Sequence, residues 1–204
     1  MNIFCVVRNY APHAAEMKSA LPTAPVFFEK PDTALLVSPT TFRYPDFSHD
    51  VQHELELVIR IERTGSHIPL SQASQYYNSV ALGIDLTARD LQRDAKASSM
   101  PWFLSKGFDG SAIVSPFITL QSLGRPIDAL SFSLLLDGNA VQQGNSGDML
   151  FPPDRLISYL SQYITLTAGD IIYTGTPAGV GPIQRGNHLE GILEGRPLLN
   201  LDII

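Results

Sequence analysis

Gln52-His53-Glu54-Leu55-Glu56-Leu57-Val58-Ile59 is the stretch on which the reading of this chain turns. In a strand, successive side chains alternate between faces, so Glu54 and Glu56 share one side while Leu55 and Leu57 share the other. Two carboxylates side by side repel, and on a partly buried face that repulsion is costly unless a cation lies between them. A hard divalent cation would answer it. So would an exposed acidic strand face, which needs no ion at all. A third acid bears on the choice. Val80-Ala81-Leu82-Gly83-Ile84-Asp85 reads as a buried strand ending in an aspartate, and strand ends that run into loops are where sites are commonly built. Three carboxylates supply only oxygen ligands, which favours magnesium, manganese or calcium over zinc. An octahedral ion held this way keeps about three open positions. Two suit the oxygens of a 2-oxo acid or a 1,3-dicarbonyl, and the third suits water.

Outward from these acids the candidate partners are cationic. Three carboxylates around a divalent ion leave a net negative charge, so an anionic substrate needs added positive groups. Arg89 follows Asp85 by four residues, and Lys106 stands in Ser105-Lys106-Gly107-Phe108, where the glycine permits close backbone approach. Either residue taken alone reads as a solvated surface cation. Toward the N-terminus stands Arg8-Asn9-Tyr10-Ala11-Pro12-His13-Ala14-Ala15-Glu16-Met17. If Pro12 opens a helix, His13 and Glu16 face the same side. A carboxylate accepting one imidazole N–H makes the other ring nitrogen a general base for water. An exposed helix start with an acid in its first turns is the plainer account. His49, His53, His67 and His188 lack such a pattern and read as surface or structural, His53 being the most ambiguous beside Glu54. Toward the C-terminus the strand-like Asp170–Thr174 leads into Gly175-Thr176-Pro177-Ala178-Gly179-Val180-Gly181. The loop matches neither a phosphate-binding nor a dinucleotide fingerprint. Thr176 could offer a hydroxyl and an N–H to a carboxylate, and a plain hairpin turn suits the same residues.

The rest of the chain frames these segments. Fifteen prolines and fifteen glycines punctuate short apolar runs, the pattern of a strand-rich α+β fold. Strands are expected at Ile3–Val7, Ala34–Val37, Glu54–Ile61, Val80–Ile84, Ala112–Phe117, Ser131–Leu136, Asp170–Thr174 and Leu198–Ile203. Helices suit Pro12–Ser19, Leu70–Tyr77, Ala88–Ser98 and Pro153–Ser161, the last with Leu156, Ile157 and Leu160 on one face. With 204 residues and no linker or repeat, one domain over 1–204 is the simplest organisation. A net charge of -6 argues against a nucleic-acid footprint. A lone cysteine, Cys5 in an apolar run, excludes an internal disulfide and multi-thiolate zinc sites. No signal peptide or membrane-spanning run is seen, so a cytoplasmic home, or an equivalent matrix, is expected.

The stretches RNYAPHAAEM, KPDTAL, HELELVI, GIDLTARDLQ, PWFLSKGFDG and ITLTAGDIIYTGTPAGVG, with an acidic turn near Glu190, run in one order over nearly the whole chain. Together they resemble the fumarylacetoacetate hydrolase superfamily, and within it the short acylpyruvate hydrolase branch, also called acylpyruvase or fumarylpyruvate hydrolase-like. By this resemblance the chain is expected to start directly at the catalytic domain, without the extra N-terminal domain of the larger relatives, which favours the small acylpyruvase-like branch. Val7 stands where close relatives often carry glycine. The resemblance implies a mixed β-roll with short peripheral helices. It implies magnesium or manganese held by Glu54, Glu56 and Asp85, and a His13–Glu16 dyad on a mobile lid that orders over substrate. Lys106 matches the family's active-site lysine. Arg89, Gln92 and Thr176 match positions lining the substrate pocket, and Arg8 falls in the lid-proximal motif. The implied activity is hydrolysis of the carbon–carbon bond of an acylpyruvate, a 2,4-dioxo acid, to pyruvate and a carboxylic acid. Oxaloacetate decarboxylation and isomerisation of 2-hydroxyhepta-2,4-diene-1,7-dioate would use the same metal site. A homodimer is implied as well. A non-catalytic metal-binding β domain would typically lack one of His13, Glu16 or Lys106, and all three are present. A cupin-like metalloenzyme would need a histidine cluster the chain does not have.

Overall fold

The computed structural model describes residues 1–204. In chain order the strands are β1 (Ile3–Val6), β2 (Phe27–Lys30), β3 (Leu35–Val37), β4 (Thr41–Phe42), β5 (Val51–His53), β6 (Leu55–Arg60), β7 (Ser79–Asp85) and β8 (Thr87–Ala88). There follow β9 (Ala112–Val114), β10 (Ile118–Thr119), β11 (Ser131–Leu136), β12 (Asn139–Asn145), β13 (Ile171–Tyr173), β14 (Gly181–Pro182), β15 (His188–Leu193) and β16 (Arg196–Ile203). Five short helices lie between them: α1 (Ala11–Glu16), α2 (Arg89–Ala97), α3 (Phe103–Lys106), α4 (Leu120–Leu123) and α5 (Pro153–Leu160). The protein is thus strand-rich α+β, as the sequence pattern implies.

The largest sheet has the order β2-β1-β13-β6-β7-β9-β3, with β10 also paired to β7. It is mixed, since β1 runs parallel to β13 while β6 and β7 are antiparallel. A second sheet, β12-β11-β15-β16-β4, faces it, and a small third one holds β14-β5-β8. Every residue of β7 is buried, as expected for a central strand covered on both faces. Side-chain alternation then gives the big sheet two cores. Leu55, Leu57, Ile59, Leu82 and Ile84 point into the main one, which the second sheet closes with Leu189, Leu193, Leu199 and Leu201. Val58 and Ala81 point the other way, into a smaller cluster with Ile3, Cys5, Ala112 and Tyr173. Glu56 has the parity of Val58, and Asp85 that of Ala81, so both acids lie at the end of the smaller core. Cys5 is a buried core thiol.

The expected elements are present with shifted ends. The Leu70–Tyr77 helix is a 3-10 helix over Leu70–Tyr76, and Leu156, Ile157 and Leu160 of α5 are buried as their spacing implies. The strand expected from Glu54 starts at Leu55, because Glu54 is the corner where the chain leaves the third sheet for the first. Leu55 N–H donates there to Gln142 Oε1 at 2.9 Å instead of to a strand. Glu190, expected in a turn, lies within β15.

Asn9 ties the segment between β1 and α1 to the sheet. Its amide donates to the carbonyls of Phe151 (2.9 Å) and Thr174 (2.8 Å) and accepts from Phe151 N–H at 2.8 Å. Asn9 is fully buried, so Asn9→Ala strands three backbone groups without partners. Denaturant unfolding of that variant is expected to show a loss of about 2–4 kcal/mol.

Candidate active site

Glu54 stands at the corner before β6, Glu56 on β6 and Asp85 at the end of β7. Asp85 N–H donates to Glu54 O at 2.9 Å, which sets the two residues side by side. All three carboxylates are buried and bring one oxygen each to within 4.8 Å of one another. Three buried cations answer them. Lys106, at the end of α3, donates to Glu54 Oε2 (2.9 Å), Asp85 Oδ2 (2.7 Å) and Thr87 Oγ1 (2.6 Å), which uses all its protons. Gly107 lets α3 end close to the sheet, since a Cβ there would meet Pro31 Cδ at 3.1 Å and Phe103 O at 3.1 Å. Arg89, the first residue of α2, bonds Glu54 Oε1 (2.5 Å), Gln52 Oε1 (2.9 Å) and Gln92 Oε1 (2.7 Å).

The third cation, Lys30, was not among the residues singled out from the sequence. Its ammonium lies 2.8 Å from Asp85 Oδ1 and donates to Ser111 O (3.1 Å), Ser111 Oγ (3.0 Å) and the carbonyl of Lys106. The only sequence signal was its place at the head of KPDTAL.

These contacts set the charges. Burial pushes the Glu54 carboxyl up, but Lys106 and Arg89 outweigh it and hold the group well below the usual carboxylate range. Glu56 goes the other way: burial and the charges of Asp85 and Glu54 raise its pKa, against the N–H of Gly175 that donates to Oε2 at 2.6 Å. Gly175 has φ +97°, and a Cβ there would meet Asn9 Cβ at 2.6 Å, so only glycine brings that N–H to the carboxylate. Burial lowers the Lys106 pKa, yet Asp85 and Glu54 raise it more.

The donor set fits a hard divalent cation. It is all oxygen, buried and gathered within 4.8 Å, and Lys106 already shows that Glu54 and Asp85 share one cation. Magnesium or manganese matches such ligands.

Across the cavity stands α1. Pro12 lies in its first turn, where a missing N–H does no harm. His13 Nδ1 is 3.1 Å from Glu16 Oε2. The carboxylate only accepts, so the proton is on Nδ1 and Nε2 is left with its lone pair. Gly179 N–H holds Glu16 from the other side, 3.1 Å from Oε1. His13, Glu54, Glu56, Asp85, Arg89, Gln92, Lys106, Thr176 and Arg8 line one cavity of about 340 Å³. Every site residue expected from the sequence is therefore gathered here, with Glu16 just behind His13.

The Thr176 hydroxyl differs from expectation. It donates to Leu55 O at 2.8 Å and accepts from Gln142 Nε2 at 2.8 Å, so it serves the fold. Gln142 Oε1 also meets His53 Nδ1 at 2.9 Å. Because that oxygen already accepts from Leu55 N–H, the amide orientation is set and His53 must donate.

The chain matches the model of the family described as fumarylacetoacetate (FAA) hydrolase, C-terminal, over residues 2–200. It is 40% identical to a mitochondrial oxaloacetate tautomerase of Mus musculus over 194 residues, 95% of this chain and 87% of that one. Fumarylpyruvate hydrolase from Pseudomonas aeruginosa, solved in complex with Mn2+ and pyruvate, superposes with a TM-score of 0.94 at 34% identity, covering 100% of this chain and 89% of its own. A 5-carboxymethyl-2-hydroxymuconate delta-isomerase from Mycobacterium smegmatis gives 0.87 at 32% identity, with coverage of 100% and 78%. No helix is long and apolar enough to cross a membrane.

Burial lowers the His53 pKa below its ordinary value of 6.5, more than the Gln142 bond and Glu54 raise it. The unfolded chain therefore takes up this proton first. The stability that neutral His53 gives is present above its unfolded pKa and is lost as pH falls through the sixes and below. Each unit of depression is worth about 1.4 kcal/mol. A Tm series from pH 7.5 to pH 5 should fall for the wild type and flatten for His53→Gln.

Proposed function

The chain belongs to the fumarylacetoacetate hydrolase family, and on that footing we propose that it hydrolyses the carbon–carbon bond of an acylpyruvate, giving pyruvate and a carboxylic acid. The observation that carries this reading is the His13–Glu16 pair, 3.1 Å apart and on the same cavity as the three carboxylates. Glu54, Glu56 and Asp85 are the residues that would hold Mg2+ or Mn2+. When bound there, the ion supplies Lewis acidity toward the oxygens of the dioxo acid.

The remaining work falls to side chains of the protein. His13 Nε2 takes a proton from the water that attacks the acyl carbonyl, while Glu16 keeps Nδ1 as the donor. The bond between the acyl carbon and the methylene carbon breaks, and its electron pair goes to the pyruvate fragment as an enolate. The Lys106 ammonium, fixed on the same cavity, is the group that stabilises that developing charge. The proton held on His13 then passes to the methylene carbon, which completes pyruvate. Arg89 and Gln92, bonded at 2.7 Å, form the wall against which the substrate is oriented. A cytosolic home, or a matrix such as the one the mouse relative's name indicates, goes with this reading.

A second reading is supported by that same relative: enol–keto conversion or decarboxylation of oxaloacetate. Neither needs attack by water. Decarboxylation leaves the electron pair on the enolate as carbon dioxide departs, so His13 matters less to it.

Activity on acetylpyruvate, fumarylpyruvate and oxaloacetate separates the two. His13→Ala should lower kcat for the acylpyruvates by about 10²–10⁴-fold while Mn2+ binding, read by calorimetry, is kept. Full acylpyruvate turnover by that variant would remove the dyad from the mechanism. Turnover of oxaloacetate alone by the wild type would move the function to the second reading. Asp85→Asn should lose Mn2+ binding, and retained wild-type affinity would displace Asp85 from the ligand set.

A further inference from the structure

Strand β12 of the second sheet carries Gln142, which is 1% exposed and lies outside the cavity lining. A buried amide is costly unless its donors and its acceptor are all paired, and here they are. Oε1 accepts from Leu55 N–H and from His53 Nδ1, both at 2.9 Å. Nε2 donates to Thr176 Oγ1 at 2.8 Å and to Pro177 O at 3.0 Å. These partners belong to two different parts of the site. His53 and Leu55 flank Glu54, so Oε1 grips the corner that carries the first of the three carboxylates. Thr176 and Pro177 lie in the glycine-rich loop, whose Gly175 N–H meets Glu56 and whose Gly179 N–H meets Glu16. The strand is shaped for this double hold. Leu134 pairs with Gln142 but Leu135 pairs with Ala140, which leaves Val141 as the extra residue of a β-bulge. A bulge re-aims the side chains beside it, and Gln142 is turned with Leu134 to the buried side. The loop lies flush on the same bulge: Gly179, at φ +98°, has no room for a Cβ against the Val141 carbonyl.

We infer that Gln142 is a positioning residue: one amide from the second sheet fixes the spacing between the carboxylate centre and the His13–Glu16 pair. Its oxygen holds the carboxylate corner and its nitrogen holds the loop that supports the pair, so the two cannot shift apart without breaking a buried bond. The inference rests on the reading of the cavity as a metal centre with a His13 base, and adds to it a residue that touches neither substrate nor ion. If Gln142 merely satisfied backbone groups, its loss would cost stability alone. A positioning role also changes His13 and metal binding in the protein that stays folded.

Gln142→Glu separates the two ends, since a carboxylate still accepts from Leu55 N–H and His53 but has no proton for Thr176 or Pro177. In 15N-labelled full-length protein without added metal, long-range 1H–15N spectra at pH 8 should show wild-type His13 protonated on Nδ1, its signals identified by their loss in His13→Ala. The variant should move the tautomer ratio toward Nε2–H by about two- to tenfold, the worth of the Gly179 bond to Glu16. Its Mn2+ affinity, read by calorimetry, should not fall. Gln142→Leu frees both ends and should in addition weaken Mn2+ binding by about tenfold or more. Leu156→Ala, in the main core, loses stability too and should alter neither reading. If Gln142→Glu does not fold, Thr176→Val cuts the same hold from the loop end and should shift the tautomer alike. Unchanged His13 spectra and Mn2+ affinity in folded Gln142→Leu, with the Nδ1–H tautomer and Mn2+ binding both present in the wild type, overturn the positioning role and leave the reading beneath it standing. A wild type that binds no Mn2+ and shows no Nδ1–H tautomer removes both together.

Discussion

The mutual repulsion of Glu54, Glu56 and Asp85, with oxygens within 4.8 Å of one another, has to be met inside the protein, because all three side chains are withdrawn from water. An isolated buried carboxylate costs several kcal/mol, and breaking a buried pair on one side costs about as much. The structure answers with matched numbers: Lys30 and Lys106 on Asp85, and Lys106 and Arg89 on Glu54. Glu56 has only the Gly175 N–H, and its raised pKa records that shortfall. The three acids are thus unequal before any ligand arrives, and the uncompensated one faces the cavity.

That demand explains where the elements go. β2, α2 and α3 each deliver one cation, Lys30, Arg89 and Lys106, to the ends of β6 and β7. The smaller core beneath the acids is built from little side chains such as Ala34, Ala81 and Ala112, which let the neighbouring strands close in. The main core, on the far side of the sheet, carries the bulk of the burial and contains no charge. The candidate site and the larger apolar core thus lie on opposite faces of one sheet.

Much of this was legible in the chain. The Glu-x-Glu alternation, an aspartate at a strand end and a proline opening a helix are local patterns with local meaning, and the residues they single out lie on one cavity. What could not be read depends on distant pairing. Lys30 reaches Asp85 because carbonyls at positions 106 and 111 hold its ammonium there, and nothing near Lys30 announces them. Gln142 holds the corner at Leu55 from 87 residues away. Strands β12 and β15 escaped notice because their residues are mixed in polarity and only partly buried, so neither gives a run of apolar letters. The partners of the Thr176 hydroxyl were out of sight for the same reason: they lie on β6 and β12.

Glu16 has two neighbours, and they tie α1 to the loop that braces the floor of the cavity. Its carboxylate meets His13 on one side and Gly179 N–H on the other, so it fixes the imidazole and fastens the helix to the glycine-rich loop at once. The same loop gives Gly175 N–H to Glu56 and the Thr176 hydroxyl to Leu55, bonds that are buried. The Glu16 latch is different, with its side chain 34% exposed. A bond to Gly179 in contact with water is worth about 0.5–1.5 kcal/mol, and a six-residue helix has little stability of its own. The loop's hold on α1 is therefore the weaker one, while buried Ala14 and His13 and the Tyr10–Met149 bridge seat the helix on the body of the protein. The His13 tautomer and its position are set together, because the carboxylate that bonds the ring is itself held by the loop.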